Sequence, residues 1–134
     1  MNALWLLVVP VAVYFVGGYA FAHRIRASRF ASRPDIPFAE IYKSSLASTG
    51  ASENESRALW IEAAKALRIP PEKLRADDRF DRELSYSLSG FPFVDLNDDF
   101  YAVLVAHLRQ RNIASGDAEK WKTLGEYIVG LTVS

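Results

Sequence analysis

The sequence predicts an all-α protein with a single N-terminal transmembrane helix followed by a small helical bundle. Three observations carry this. Residues 1–22 hold no charged side chain, and residues 23–33 then hold four arginines. Three later segments repeat apolar residues at helical spacing, each behind a capping residue. No pair of alternating runs flanks a tight-turn dipeptide, so there is no β-hairpin signal.

The anchor comes first. Residues 3–22 are mostly Leu, Val, Ala, Phe and Tyr. At about 1.5 Å per residue they make roughly 30 Å of helix, the thickness of a bilayer's hydrocarbon core. Pro10 and the pair Gly17 and Gly18 suit a membrane helix better than a soluble one. Trp5 near one end, with Tyr14, Tyr19 and Phe21 towards the other, fits the aromatic enrichment of membrane interfaces. A buried core helix is disfavoured because the rest of the chain is too short and polar to wrap it. A cleaved signal peptide is the competing reading: Ala20, Phe21 and Ala22 form a small-x-small site, but the charged n-region is missing and the apolar run is long. The positive-inside rule, applied to Arg24, Arg26, Arg29 and Arg33, places the N-terminus outside and the C-terminal domain in the cytoplasm. The same four arginines form an expected membrane collar that meets anionic lipid headgroups.

Beyond the anchor the charge reverses. All 16 acidic residues lie at or after Asp35, against 12 of the 16 basic ones, so region 35–134 carries a net charge of −4. That argues against nucleic acid as the partner, which requires a concentrated positive face. The absence of cysteine excludes disulfides and thiolate sites. With only His23 and His107 there is no clustered metal motif, so no metal is expected. No phosphate-binding glycine loop or nucleophile elbow appears either, and the expectation is a protein that is not an enzyme.

The chain divides into an anchor (1–22), a basic juxtamembrane segment and linker (23–51), and a helical domain (52–134). Within the linker, Phe38, Ile41 and Tyr42 form a short amphipathic piece able to dock on the domain, and 44–51 reads as loop. The first domain helix begins at Ser52, with Glu55 completing a capping box. Its apolar face is Leu59, Trp60, Ala63, Ala64 and Leu67, and Pro70 and Pro71 stop it. Residues 85–96 have no helical period. A second helix follows Asn97 as N-cap, with Asp98 and Asp99 in its first turn and Phe100, Val103, Leu104, His107 and Leu108 on its apolar face. A last helix follows Thr123, with Glu126 at the capping-box position and Trp121 as a staple.

This order of parts resembles the acyl carrier protein family over residues 52–132. The resemblance rests on Leu67 to Leu74, on Asp78, Arg79 and Phe80, on the acidic helix start, and most of all on the closing Trp121, Thr123, Leu124, Tyr127 and Ile128. It implies an acyl-carrier-like bundle and a serine, in an Asp-Ser-Leu motif, that bears phosphopantetheine. The family's spacing back from Thr123 puts Leu96 in that slot, behind Asp95. Leucine cannot be modified, so the chain resembles a degenerate member without a cofactor. A rival alignment forward from Phe80 selects Ser87, before Leu88, as the attachment site, although Gly90 and Pro92 follow at once.

Two expectations about partners follow. Between Asp77 and Asp99 lie seven acidic residues and two arginines. A partner with a basic surface would meet Asp77, Asp78, Asp95, Asp98 and Asp99, with Phe91 as an apolar anchor. The leading functional reading is a membrane-anchored, non-catalytic interaction module on the cytoplasmic face. The alternatives are a tethered acyl or peptidyl carrier modified by phosphopantetheine at Ser87, and a small subunit of a membrane complex packed through Gly17 and Gly18.

Overall fold

The structure, a computed structural model, describes residues 3–85 and 97–133. The described residues contain six α-helices: α1 (Leu4–Ala31), α2 (Phe38–Ile41), α3 (Glu53–Leu67), α4 (Asp98–Arg111), α5 (Ser115–Ala118) and α6 (Leu124–Val133). Among those residues there is no β-strand, only one isolated antiparallel bridge between Arg79 and Thr123. The all-α class read from the sequence is the class observed.

α1 is long and apolar enough to cross a membrane. Its side chains from Leu4 to Val16 are exposed all round, with Pro10 inside the helix. The helix does not end where the apolar run ends. It continues through the arginines to Ala31, and Ala22, His23, Arg26 and Phe30 are buried. Tyr19, His23, Arg26 and Phe30 follow one another at three- and four-residue steps, with Ala22 three residues after Tyr19, which puts them on one helix face; Arg33 follows just past the helix end. That face packs on the domain.

Residues 34–51 are no free linker. Pro37 enters α2, a π-helical turn (Tyr42–Leu46) and a 3₁₀ turn (Ala47–Thr49) follow, and Gly50 leaves with a φ of +85° that glycine tolerates. Ile41, Leu46 and Ala51 are buried in the domain. Phe38 stacks 5.5 Å from Trp60, and the Tyr42 hydroxyl donates to Ala51 O at 2.6 Å. The small residues at 44–51 suggested a loop, yet Leu46 and Ala51 anchor the turn in the domain.

α3 starts as expected, with Ser52 Oγ accepting from the Glu55 N–H at 3.4 Å. Leu59, Trp60, Ala63, Ala64 and Leu67 are all buried. Arg68 N–H bonds Lys65 O and Ile69 N–H bonds Ala64 O, which closes α3 in a Schellman motif. Asn112 and Ile113 close α4 in the same way, through Arg109 O and Leu108 O. On α4 only Phe100 and Leu108 are fully buried, while Val103, Leu104 and His107 are half-buried. α6 is capped by Thr123 Oγ1, which accepts from Glu126 N–H at 3.1 Å; the Glu126 carboxylate accepts from Lys122 N–H at 2.8 Å. Trp121 lies so close over Gly130 that an added Cβ there would meet its ring at 2.2 Å. The core joins Phe30 of α1 to Trp60, Leu67, Leu74, Leu84, Phe100, Leu124, Tyr127 and Ile128. Each fully buried leucine contributes roughly 2 kcal/mol.

α3 and α4 run antiparallel: Arg68 meets Asp99 at one end, Glu62 meets His107 midway, and Glu55 meets Arg111 at the other. The end bearing Arg68 and Asp99 lies beside the apolar part of α1. The opposite end lies about 20 Å away, the length of α3.

Arg26 is the side chain on which this arrangement can be tested. Arg26→Ala removes donors from buried acceptors and is expected to destabilise the full chain by about 3 kcal/mol. Arg29→Ala, at an exposed position, is expected to change stability by less than about 0.5 kcal/mol. Denaturant titration in detergent, followed by fluorescence of the buried Trp60, measures both.

Candidate functional site

The candidate site is the joint between α1 and the domain, together with the acidic surface beside it. Arg26 is 1% exposed. It donates to Asn97 Oδ1 at 2.5 Å and to Leu67 O at 2.7 Å, and Asn97 Nδ2 passes the contact on to Leu84 O at 2.9 Å. One guanidinium thus gathers the end of α3, the start of α4 and the loop at Leu84. Asn97, expected as an N-cap, does not cap α4 with its side chain because that amide serves Arg26 and Leu84. One turn earlier on α1, His23 is buried beside Tyr19, with ring centroids 4.5 Å apart, and neither of its nitrogens has a hydrogen-bond partner among the described residues. Arg68 lies over the other neighbour of that pair, 5.0 Å from the Tyr19 ring centre.

At the C-terminal end of α1 the loop at 72–80 acts as a clamp. Arg33 donates to both carboxylate oxygens of Asp78, each at 2.8 Å, and to Lys73 O at 3.0 Å. Asp78 Oδ2 also accepts from the Arg75 N–H at 2.8 Å. Hydrogen bonding to Asp78 raises the Arg33 pKa above its ordinary value. The Lys73 ammonium donates to Ala31 O and Arg33 O, where the carbonyl end of α1 favours a cation, and it pairs with Asp35 at 2.8 Å. The same loop holds α6, since Ala76 O accepts from Gly125 N–H at 2.8 Å and Asp78 O from Leu124 N–H at 3.0 Å.

These contacts correct two sequence expectations. The collar of four arginines is divided: Arg24 and Arg29 are exposed, whereas Arg26 and Arg33 are built into the domain. Asp78, proposed for a partner, is 2% exposed and engaged by Arg33, so it faces inward. Asp77 beside it is exposed, as are Asp98 and Asp99 in the first turn of α4. Ser87, Phe91, Asp95 and Leu96 lie outside the described residues.

Hydrogen bonds from Arg79 hold the Asp81 carboxyl down to about 2. The Arg79 N–H does the same in direction for Glu83. Asp77 and Glu126 edge an open groove of about 750 Å³ whose floor includes Leu46, Trp121, Val129 and Gly130. A second, apolar cleft of about 350 Å³ lies between α4 and Trp121, lined by Phe80, Phe100, Tyr101, Leu104 and Leu108 among others.

His107 takes part in a relay between helices. Its Nδ1 faces the Arg111 guanidinium at 2.6 Å, which can only donate, so Nε2 carries the proton and donates to Glu62. Arg111 also donates to Leu131 O at 3.2 Å. Tyr127 sits below, its hydroxyl pKa raised by burial. With both ring nitrogens engaged, His107 ties α4 to α3, and its partner Arg111 carries the link on to Leu131 of α6. Among the described residues no three His, Cys, Asp or Glu side chains cluster as a metal site would need.

Compared with family models, with curated proteins and with solved structures, the chain matches none. The class of protein is therefore defined by its own geometry, a helical bundle entered by one long apolar helix.

The two adjacent aspartates separate fold from surface. Asp78→Asn is expected to cost about 3 kcal/mol, because the amide cannot accept both Arg33 bonds, whereas Asp77→Asn is expected to leave stability within about 0.5 kcal/mol. Thermal unfolding of the two variants in detergent, read against the unchanged chain, measures the difference.

Proposed function

We propose that the chain is a membrane-anchored, non-catalytic interaction module whose acyl-carrier-like domain is displayed on the cytoplasmic face. The observation that carries this reading is the double character of α1. Its first half is exposed and apolar all round, which only a bilayer or another apolar surface can cover. Its second half belongs to the domain core through Arg26 and Phe30. The exposed Arg24 and Arg29 immediately after the apolar run support a cytoplasmic domain.

The partner in this reading has a basic and partly apolar surface. The groove edged by Asp77 and Glu126 fits it, with Trp121 as the aromatic part of the floor. Asp81, Glu83, Asp98 and Asp99 extend the negative field that would steer it. Holding the module at a membrane raises its effective concentration near membrane-bound partners.

The absence of native cysteine makes the topology directly measurable. Glu119→Cys in the full chain is expected to react with a membrane-impermeant maleimide only after the cells are permeabilised, and the protein is expected to stay with membranes after alkaline extraction. Labelling of intact cells would reverse the orientation, and release into the soluble fraction would remove the anchor.

The carrier resemblance has a separate test. Full-length protein in detergent, incubated with a phosphopantetheinyl transferase and coenzyme A, is expected to show no gain of mass. A gain of one phosphopantetheine that disappears in Ser87→Ala would replace the interaction module with a working carrier.

A further inference from the structure

We infer that the domain is seated directly on the bilayer, with the end of α3 and the start of α4 facing the lipid and Arg68 engaging headgroup phosphates. This rests on the reading that the apolar half of α1 spans a membrane. Three observations place the seat. The last strongly exposed apolar side chain of α1 is Phe21, and the domain already covers Ala22 and His23. No length of free chain therefore separates the apolar run from the domain. Next, Arg68 lies 5.0 Å over the ring of Tyr19, which stands in the last turn of the apolar run. That contact fixes the C-terminus of α3 at headgroup depth. Third, α4 begins at the same end, since Asp99 is 3.6 Å from Arg68 and Asn97 holds Arg26.

Arg68 itself is unusual. It occupies the left-handed position that closes α3, with φ at +57°, where glycine is the unstrained choice and any other side chain costs roughly 1 kcal/mol. Its guanidinium is 48% exposed and its pairing with Asp99 is long, so donors remain for a further acceptor. An arginine in this place, stacked on an interfacial tyrosine, has the chemistry to hold a phosphate. At this pole Asp98 and Asp99 offset Arg68 and the buried Arg26, so it is close to neutral. It fits a zwitterionic phosphocholine or phosphoethanolamine surface rather than requiring anionic lipid.

The seat predicts a depth pattern that runs in opposite directions along the two helices. Lys65, Asn54, Ala102 and Gln110 are all exposed, and each can be replaced singly by cysteine in the full chain and labelled with a fluorophore. In phosphatidylcholine vesicles containing a headgroup nitroxide lipid, probes at Lys65→Cys and Ala102→Cys are expected to be quenched several-fold more than those at Asn54→Cys and Gln110→Cys. In the same vesicles Arg68→Gly, which relaxes the backbone and keeps the buried Trp60 emission, is expected to at least halve the quenching at position 65. Equal quenching at all four sites, or deeper quenching at 54 and 110, would overturn the seat. An unchanged pattern in Arg68→Gly would overturn the role of Arg68. A chain that never enters the vesicles would overturn the membrane reading along with the seat, whereas an inserted chain with uniform quenching overturns the seat alone.

Discussion

A guanidinium carried into a protein interior must find acceptors for its donors, and the acceptors it finds decide which backbone segments come together. Arg26 imposes this constraint here. It lies on α1 within two turns of the apolar run, and its donors reach Leu67 O and the Asn97 amide. Leu67 is the last residue of α3 and Asn97 immediately precedes α4. Moving Arg26 out would leave those acceptors buried and unpaired, at a cost of several kcal/mol in a domain whose whole stability is of order 10 kcal/mol. The junction is therefore part of the fold, not an attachment to it.

The second clamp follows from the first. Once α1 lies along the domain, its C-terminal carbonyls and Arg33 arrive at the loop 72–80, where Lys73 and Asp78 answer them with opposite charges. Because Ala76 and Asp78 also hold the first N–H groups of α6, the loop transmits the position of α1 to the far side of the bundle. The His107 relay closes the remaining end through Glu62, Arg111 and Leu131. Polar groups thus register the helices at three levels, while Trp60, Phe100 and Tyr127 fill the space between them.

Much of this was legible as local signal. The caps at Ser52 and Thr123 and the apolar face of α3 are short-range patterns, and they lie where the sequence puts them. The one-turn α5 has no such signal, since Ser115 to Ala118 is too short to show a period. The junction was illegible for a different reason. Composition changes abruptly after residue 22, but helix geometry does not, and the arginines that looked like one collar divide by helical phase. Only the spacing of Tyr19, His23, Arg26, Phe30 and Arg33 distinguishes the two that turn inward. Adjacent Asp77 and Asp78 part in the same way: the partner that buries Asp78 is Arg33, 45 residues away, which no local window contains. Which way each of these charged groups faces depends on contacts distant in sequence.

A flexible tether and a rigid one confer different properties on a bound domain. A flexible tether raises local concentration but leaves all orientations available, so a partner must still pay the entropy of aligning the two surfaces. The joint built from Arg26 and Arg33 removes most of that freedom before any encounter. The C-terminus of α3 and the start of α4 are fixed beside α1 through Arg26 and Arg68, and the ends at Glu55 and Arg111 lie about 20 Å from the end at Arg68. The groove edged by Asp77 and Glu126 keeps one height and one facing, because the loop 72–80 that forms its wall also grips the end of α1. In the membrane-anchored reading, a partner on the same membrane would meet that groove already oriented. Two of the four arginines that follow the apolar run, Arg26 and Arg33, thus serve a mechanical purpose inside the fold, holding α1 to the domain.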